Sequence, residues 1–345
     1  MVNGEKERLM PTLENNRLVF RFPHIEESAQ FSIEFQRTLR IPDTNKTYSL
    51  PPGLGVFPLR HVEDFADRLD NATISRGGVL MPMWQAEAMW LNFSSRGPYD
   101  GPSFPVAIKV AAGKINAVSG ETWRPGLNRH PQDYMVSPQQ PWLDGFAVKP
   151  GVIRQFVAMP LGDGYTVEHQ ISGTEEWGGL QIQVAPLKNH VWQKIRAAWR
   201  EKVRTPHFAE DRLCDSSSRL MGLGAGGLMK QAIYPDQFQL DDWDLESMDR
   251  VFVTLLHARD WKSTTGESAP HHPPTAQEYS KAGLPWFDYY GCDQASLPGG
   301  EKLASIASVG ELFKMKTGAA MPNCEDVDTG VPKIVGPRQV RVGEW

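Results

Sequence analysis

Residues 132–186 contain three blocks: Q-D-Y-M-V-S-P-Q-Q-P-W-L-D-G-F at 132–146, V-I-R-Q-F-V-A-M-P-L-G-D-G-Y-T-V-E-H-Q-I-S-G at 152–173 and E-E-W-G-G-L-Q-I-Q-V-A-P at 175–186. Residues 152–160 are apolar on both faces apart from Arg154 and Gln155, the pattern of a strand covered on both sides. Asp163-Gly164 is a two-residue turn signal. Residues 165–172 then alternate, with Val167, His169 and Ile171 on one face and Thr166, Glu168 and Gln170 on the other. The spacing predicts a hairpin. A loop of two residues and a loop of four both put Gln155, Glu168 and Gln170 on the same face, with Arg154 pointing away. Residues 180–184 alternate again, with Gln181 and Gln183 polar, and would extend that face by pairing alongside.

Such a face has two readings. It is the wet side of an antiparallel meander, or it is a covered site, because Val157 and Met159 share it. Under cover, Glu168 would have a raised pKa and act as a general acid or base. Gln155, Gln170 and Gln181 would then orient a substrate, and Trp84, Trp142 and Trp177 would wall the pocket, with core packing as the competing role for each tryptophan. Arg154 reads as an ion-pair or carbonyl-binding partner.

Working outward, strands are expected over 17–22, 31–41, 106–110 and 251–256. Helices are expected over 61–69, 84–92, 190–203, 276–282 and 301–315. Residues 204–220 are polar and irregular. The fold class is α+β, a largely antiparallel sheet with several short peripheral helices. An irregular N-terminal segment (1–30) would precede a single α+β domain (31–320), followed by an extended C-terminal tail (321–345). Two domains meeting near residue 190 are the alternative.

Composition narrows the function classes. Glycine and proline number 31 and 27, roughly 17% of the 345 residues against about 12% in average usage, which favours turns and short elements. The net charge of −5 and the lack of a basic cluster argue against nucleic acid as a partner. No apolar run reaches the roughly 18 residues needed to span a bilayer, and no signal-peptide pattern opens the chain. Cys214, Cys292 and Cys324 are sparse and lack C-x-x-C spacing, so neither a disulfide framework nor structural zinc is expected. A cytoplasmic protein follows, and the N-x-S/T sequences at Asn45, Asn71 and Asn92 are then chance matches.

Several motifs fail on context. V-A-I-K at 106–109 matches a kinase strand, but H-R-D and D-F-G are missing. The glycine run at 222–227 resembles a phosphate-cradling loop without the strand that should precede it. It is expected to be a special loop whose backbone N–H groups, around Gly224 and Gly226, could hold an anion. Asp241-Asp242-Trp243-Asp244 lacks the rest of a calcium loop, and His271-His272 lacks zinc spacing. No metal and no cofactor are expected.

Five segments carry a family resemblance: P-M-W-Q-A-E-A at 82–88, N-A-V-S-G-E at 116–121, Q-P-W-L-D-G at 140–145, R-Q-F-V-A-M-P-L-G at 154–162 and L-P-W-F at 284–287. Over about residues 31–310 the chain resembles an uncharacterised family of microbial soluble proteins. That resemblance implies no activity and transfers no catalytic residue. The residues themselves give a cofactor-independent enzyme acting on a small organic molecule by general acid–base chemistry at Glu168. The alternative is a module that binds a small molecule, sugar or protein without catalysis.

Overall fold

The computed structural model describes residues 10–44, 46–202, 218–289 and 295–335. Cys214, Cys292, Asn45 and most of the polar 204–220 segment lie outside the described residues. Within them, Val152–Pro160 is a nine-residue strand, as its two-sided apolar pattern requires. It runs antiparallel between Gly145–Lys149 and Ser218–Lys230. Leu180–Pro186, buried at all seven positions, lies antiparallel between Val106–Ala112 and Asp249–His257. Pairing therefore crosses residue 190 in both directions along the chain. Gln30–Thr38 lies between Arg17–Arg21 and Ala88–Arg96.

Among the described residues seventeen strands belong to one sheet, and nearly all of its ladders are antiparallel. Parallel exceptions are Val79–Met83 beside Asp249–His257 and a short contact of Thr47–Tyr48 with Ser218–Lys230. The main core draws Phe31, Phe35, Leu91, Ile108, Phe156, Ile182 and Leu255 from all of these ladders. Short helices sit around the sheet, the longest being Asn189–Lys202. The α+β class holds, with the sheet dominant.

Three expectations are overturned. Residues 165–172 form no second hairpin strand, because Val167–Ser172 is a helix. Thr166 caps it, accepting from the His169 N–H at 3.1 Å, and Gly173 ends it in the left-handed region at φ 77°. Val167 and Ile171, four apart, satisfy a helix period as well as a strand period. Residues 84–92 are not helical either. A turn at 84–87 leads into Ala88–Arg96, where buried Leu91 and Phe93 alternate with half-exposed Trp90, Asn92 and Ser94. The expected helix over 301–315 is two helices, Glu301–Ala304 and Val309–Thr317, the second opened by a Ser308/Glu311 capping box. The strand expected over 17–22 is present as Arg17–Arg21, and it pairs in a hairpin with Thr12–Glu14.

The glycine run is strand and not the special loop expected. It lies inside Ser218–Lys230, with Gly222 and Gly224 paired to Met159 and Val157. Glycine is needed there for close approach. A Cβ at Gly224 would stand 2.4 Å from Val309 Cγ1, and one at Gly226 would stand 2.6 Å from Val157 Cγ2. At Gly227 a Cβ would lie 2.4 Å from the Pro42 carbonyl oxygen, which, unlike a side chain, cannot rotate away. Gly226→Ala and Gly227→Ala are expected to cost about 1–3 kcal/mol each through overpacking, with Gly227→Ala the worse. Urea unfolding measures this, and wild-type midpoints for both variants would contradict the packing described.

Candidate functional site

Glu168 stands in the first turn of its helix, only 2% exposed. Its Oε1 accepts from the Lys114 N–H at 3.2 Å, and its Oε2 accepts from Gly178 at 3.0 Å and Trp177 at 3.4 Å. A Cβ at Gly113 would lie 2.3 Å from Oε2, so the carboxylate is pressed onto that turn. Burial raises its pKa while the three N–H donors pull it back. Held this way, Glu168 staples the 113–114 turn and the 177–178 loop to the helix. Trp177 completes the cluster, with Lys114 Nζ 3.8 Å from its ring centroid and the Arg76 guanidinium at 5.7 Å.

The carboxamides do not converge on a common face. Gln181 does reach the Glu168 cluster, donating to Gly113 O at 2.8 Å. Gln170 exchanges two hydrogen bonds with the Ala307 backbone, at 3.0 and 2.7 Å. Gln155, fully buried, donates to Leu39 O at 2.8 Å and accepts from Ile41 N–H at 3.0 Å. Arg154 donates to Gly226 O at 3.2 Å, with Asp43 and Glu311 each 3.8 Å away. Trp142 Nε1 donates to Asp144, which burial pushes up to about 7. The V-A-I-K lysine, Lys109, is buried and donates to Arg124 O, Gly126 O and the Asp133 carboxylate, pinning the following loop.

Trp84 lines a cleft. It belongs to the 84–87 turn, where Ala86 takes φ 64° and its N–H donates to Ala158 O at 2.7 Å. This strained alanine lets Glu87 turn inward while Trp84 stays half-buried at the surface. Glu87 Oε1 accepts from Arg37 at 2.6 Å, and Oε2 accepts from the Trp84 N–H at 2.8 Å. Burial pushes Glu87 up to about 7, against the pull of Arg37 and the Trp84 N–H. Arg37 also donates to His271 O at 2.7 Å, and Trp84 Nε1 donates to Pro270 O at 2.9 Å. Those two carbonyl contacts fix the 270–275 loop.

The loop lays His272 on Trp84, with ring centroids 3.7 Å apart and planes 27° from parallel. His257 meets the same indole edge-on at 6.0 Å. Burial and the charges of Arg37 and Arg259 lower the pKa of His272 below the ordinary histidine value, and burial and Arg259 lower that of His257. Beside the stack opens a cleft of about 120 Å³, bordered by Arg40, Trp84, Glu87, His272, Thr275 and Asn323. Of these only Trp84 is selected by sequence reasoning. H-H-P-P-T at 271–275 is legible as a proline-rich loop, but the 180-odd residues between it and Trp84 hide their contact. No group of three or more potential metal ligands occurs among the described residues. No helix among them is long and apolar enough to cross a membrane. No family model, curated protein or solved structure matches the chain.

Two measurements check these environments. Asp144 and Glu87 bind a proton more tightly folded than unfolded, their pKa values rising from 3.8 and 4.5 to about 7. Each therefore stabilises the fold least above pH 7, and stability declines as pH rises from about 4 through 7. Asp144→Asn mimics the protonated acid, so its melting temperature relative to wild type is expected to climb between pH 5 and 8. A difference independent of pH would contradict the buried-acid description. Glu168→Gln sets an amide NH₂ against backbone donors and is expected to cost about 1–3 kcal/mol in urea unfolding. An unchanged midpoint would remove its role as a staple.

Proposed function

We propose that the protein is a binding module that seats a small organic group in the Trp84–His272 cleft and performs no chemistry on it. The observation that carries this reading is the stacked aromatic wall beside a cleft bordered by polar side chains. Its size bears on the ligand. At about 120 Å³ the cleft is smaller than the roughly 300–1,000 Å³ of pockets that enclose a whole ligand. It is closer to the roughly 150 Å³ cavity that holds benzene. The cleft thus suits one head group, with the remainder of the ligand outside. The absence of chemistry is supported by Glu87, the acid on the cleft wall, whose two oxygens are both taken by donors.

A second reading keeps general acid–base chemistry at Glu168, favoured by the burial that raises its pKa. The two separate by variant. Ligand-observed NMR with compounds of up to about ten heavy atoms is expected to find binders that Trp84→Ala abolishes and Glu168→Gln leaves in place. Binders indifferent to Trp84→Ala would overturn the cleft reading. Turnover of a bound compound that Glu168→Gln abolishes would establish the second.

A further inference from the structure

We infer, resting on the binding reading above, that the group taken by the cleft is an anion, a carboxylate or a phosphate, received by the guanidinium of Arg40. Arg40 is half-buried on the cleft wall and holds the segment at 321–324. Its Nη1 points at Met321 Sδ at 3.0 Å and Cys324 Sγ at 3.5 Å, while Nη2 donates to the carbonyls of Pro322 and Asn323. Thioether and thiol sulfur are weak acceptors, so half of the terminal donors of this fork meet poor partners.

Other arginines in the molecule meet carboxylates. Arg37 has Glu87 at 2.6 Å, Arg60 has Glu267 at 2.6 Å, and Arg154 lies between Asp43 and Glu311. Among the described residues no carboxylate comes within ion-pair distance of Arg40, nor of Arg259 near His257 and His272. Glu87, the acid on the wall, is already neutralised by Arg37. Arg40 therefore brings to the cleft wall a positive charge that no carboxylate among the described residues pairs with. Burial is the main cause of the lowered pKa values of both histidines, and the charge of Arg259 adds to it, opposed at His257 by Asp260. A carboxylate or phosphate would replace sulfur contacts with charge-assisted hydrogen bonds.

Calorimetric titration of the full chain with benzoate, phenyl phosphate and benzamide tests this, benzamide being the neutral isostere of benzoate. One of the anions is expected to bind about tenfold or more tightly than benzamide, since a hydrogen bond to a charged group contributes about 1.5–3 kcal/mol. The anion that binds more tightly identifies the class. Arg40→Gln should remove most of that preference. Arg259→Gln, at an exposed position that serves as a check should Arg40→Gln disturb the fold, should reduce it, as should added salt. Benzamide binding as tightly as both anions, with all three lost in Trp84→Ala, would overturn the anion and keep the cleft. No probe responding to Trp84→Ala, or none binding, would overturn both.

Discussion

Gln155 is fully buried within the strand Val152–Pro160, yet its side chain serves two backbone groups elsewhere, the carbonyl of Leu39 and the N–H of Ile41. The constraint behind that contact governs the whole molecule. A chain so rich in glycine and proline has many irregular segments, and their buried backbone groups must find partners outside any ladder. Gln132, Gln140, Gln181 and Gln231 each donate to a backbone carbonyl, and Asn116 Oδ1 accepts from Val118 and Ser119. Glu168 and Glu175 each gather three backbone N–H donors on one carboxylate. Side chains that look like substrate contacts in one dimension are largely the mortar between the sheet and its loops.

The same constraint explains what the sequence did and did not disclose. Strand 152–160 was legible because apolar cover on both faces leaves a signature within nine residues. Leu180–Pro186 was legible from its alternation and Asp249–His257 from the compact apolar run at 251–256. Residues 167–172 misled because Val167, His169 and Ile171 alternate, and the deciding signals were the bracketing Thr166 and Gly173. Residues 222–227 misled in another way, since glycine suggests a loop wherever the crowding that demands it comes from a distant segment. Here that crowding comes from Pro42 and Val309. Of the cleft, Trp84 was legible as a large aromatic, while Arg40, His272 and Asn323 owe their roles entirely to contacts between remote segments.

Charge follows the packing. Lys109 with Asp133 and Arg37 with Glu87 are buried pairs whose remaining hydrogen-bonding capacity is spent on backbone groups. Removing one partner from such a pair leaves an uncompensated charge and typically costs about 3–5 kcal/mol. Arg37–Glu87 has a further effect. By fixing His271 and the turn before Ala88, it sets the separation of Trp84 from the 270–275 loop and so the stacking of His272. The aromatic wall is thus built on a buried ion pair.

Arg40 and Met321 are 281 positions apart, and Asn323 completes the border of the cleft that Trp84 and Arg40 begin. A ribosome delivers these parts in order, and N-terminal portions organise before the last residues emerge. The sheet can therefore close around Gln155 and Leu180 while the cleft still lacks its final wall. Time of synthesis becomes a property of the site. A nascent chain halted before residue 323 would carry the aromatic stack without the enclosure that gives it shape.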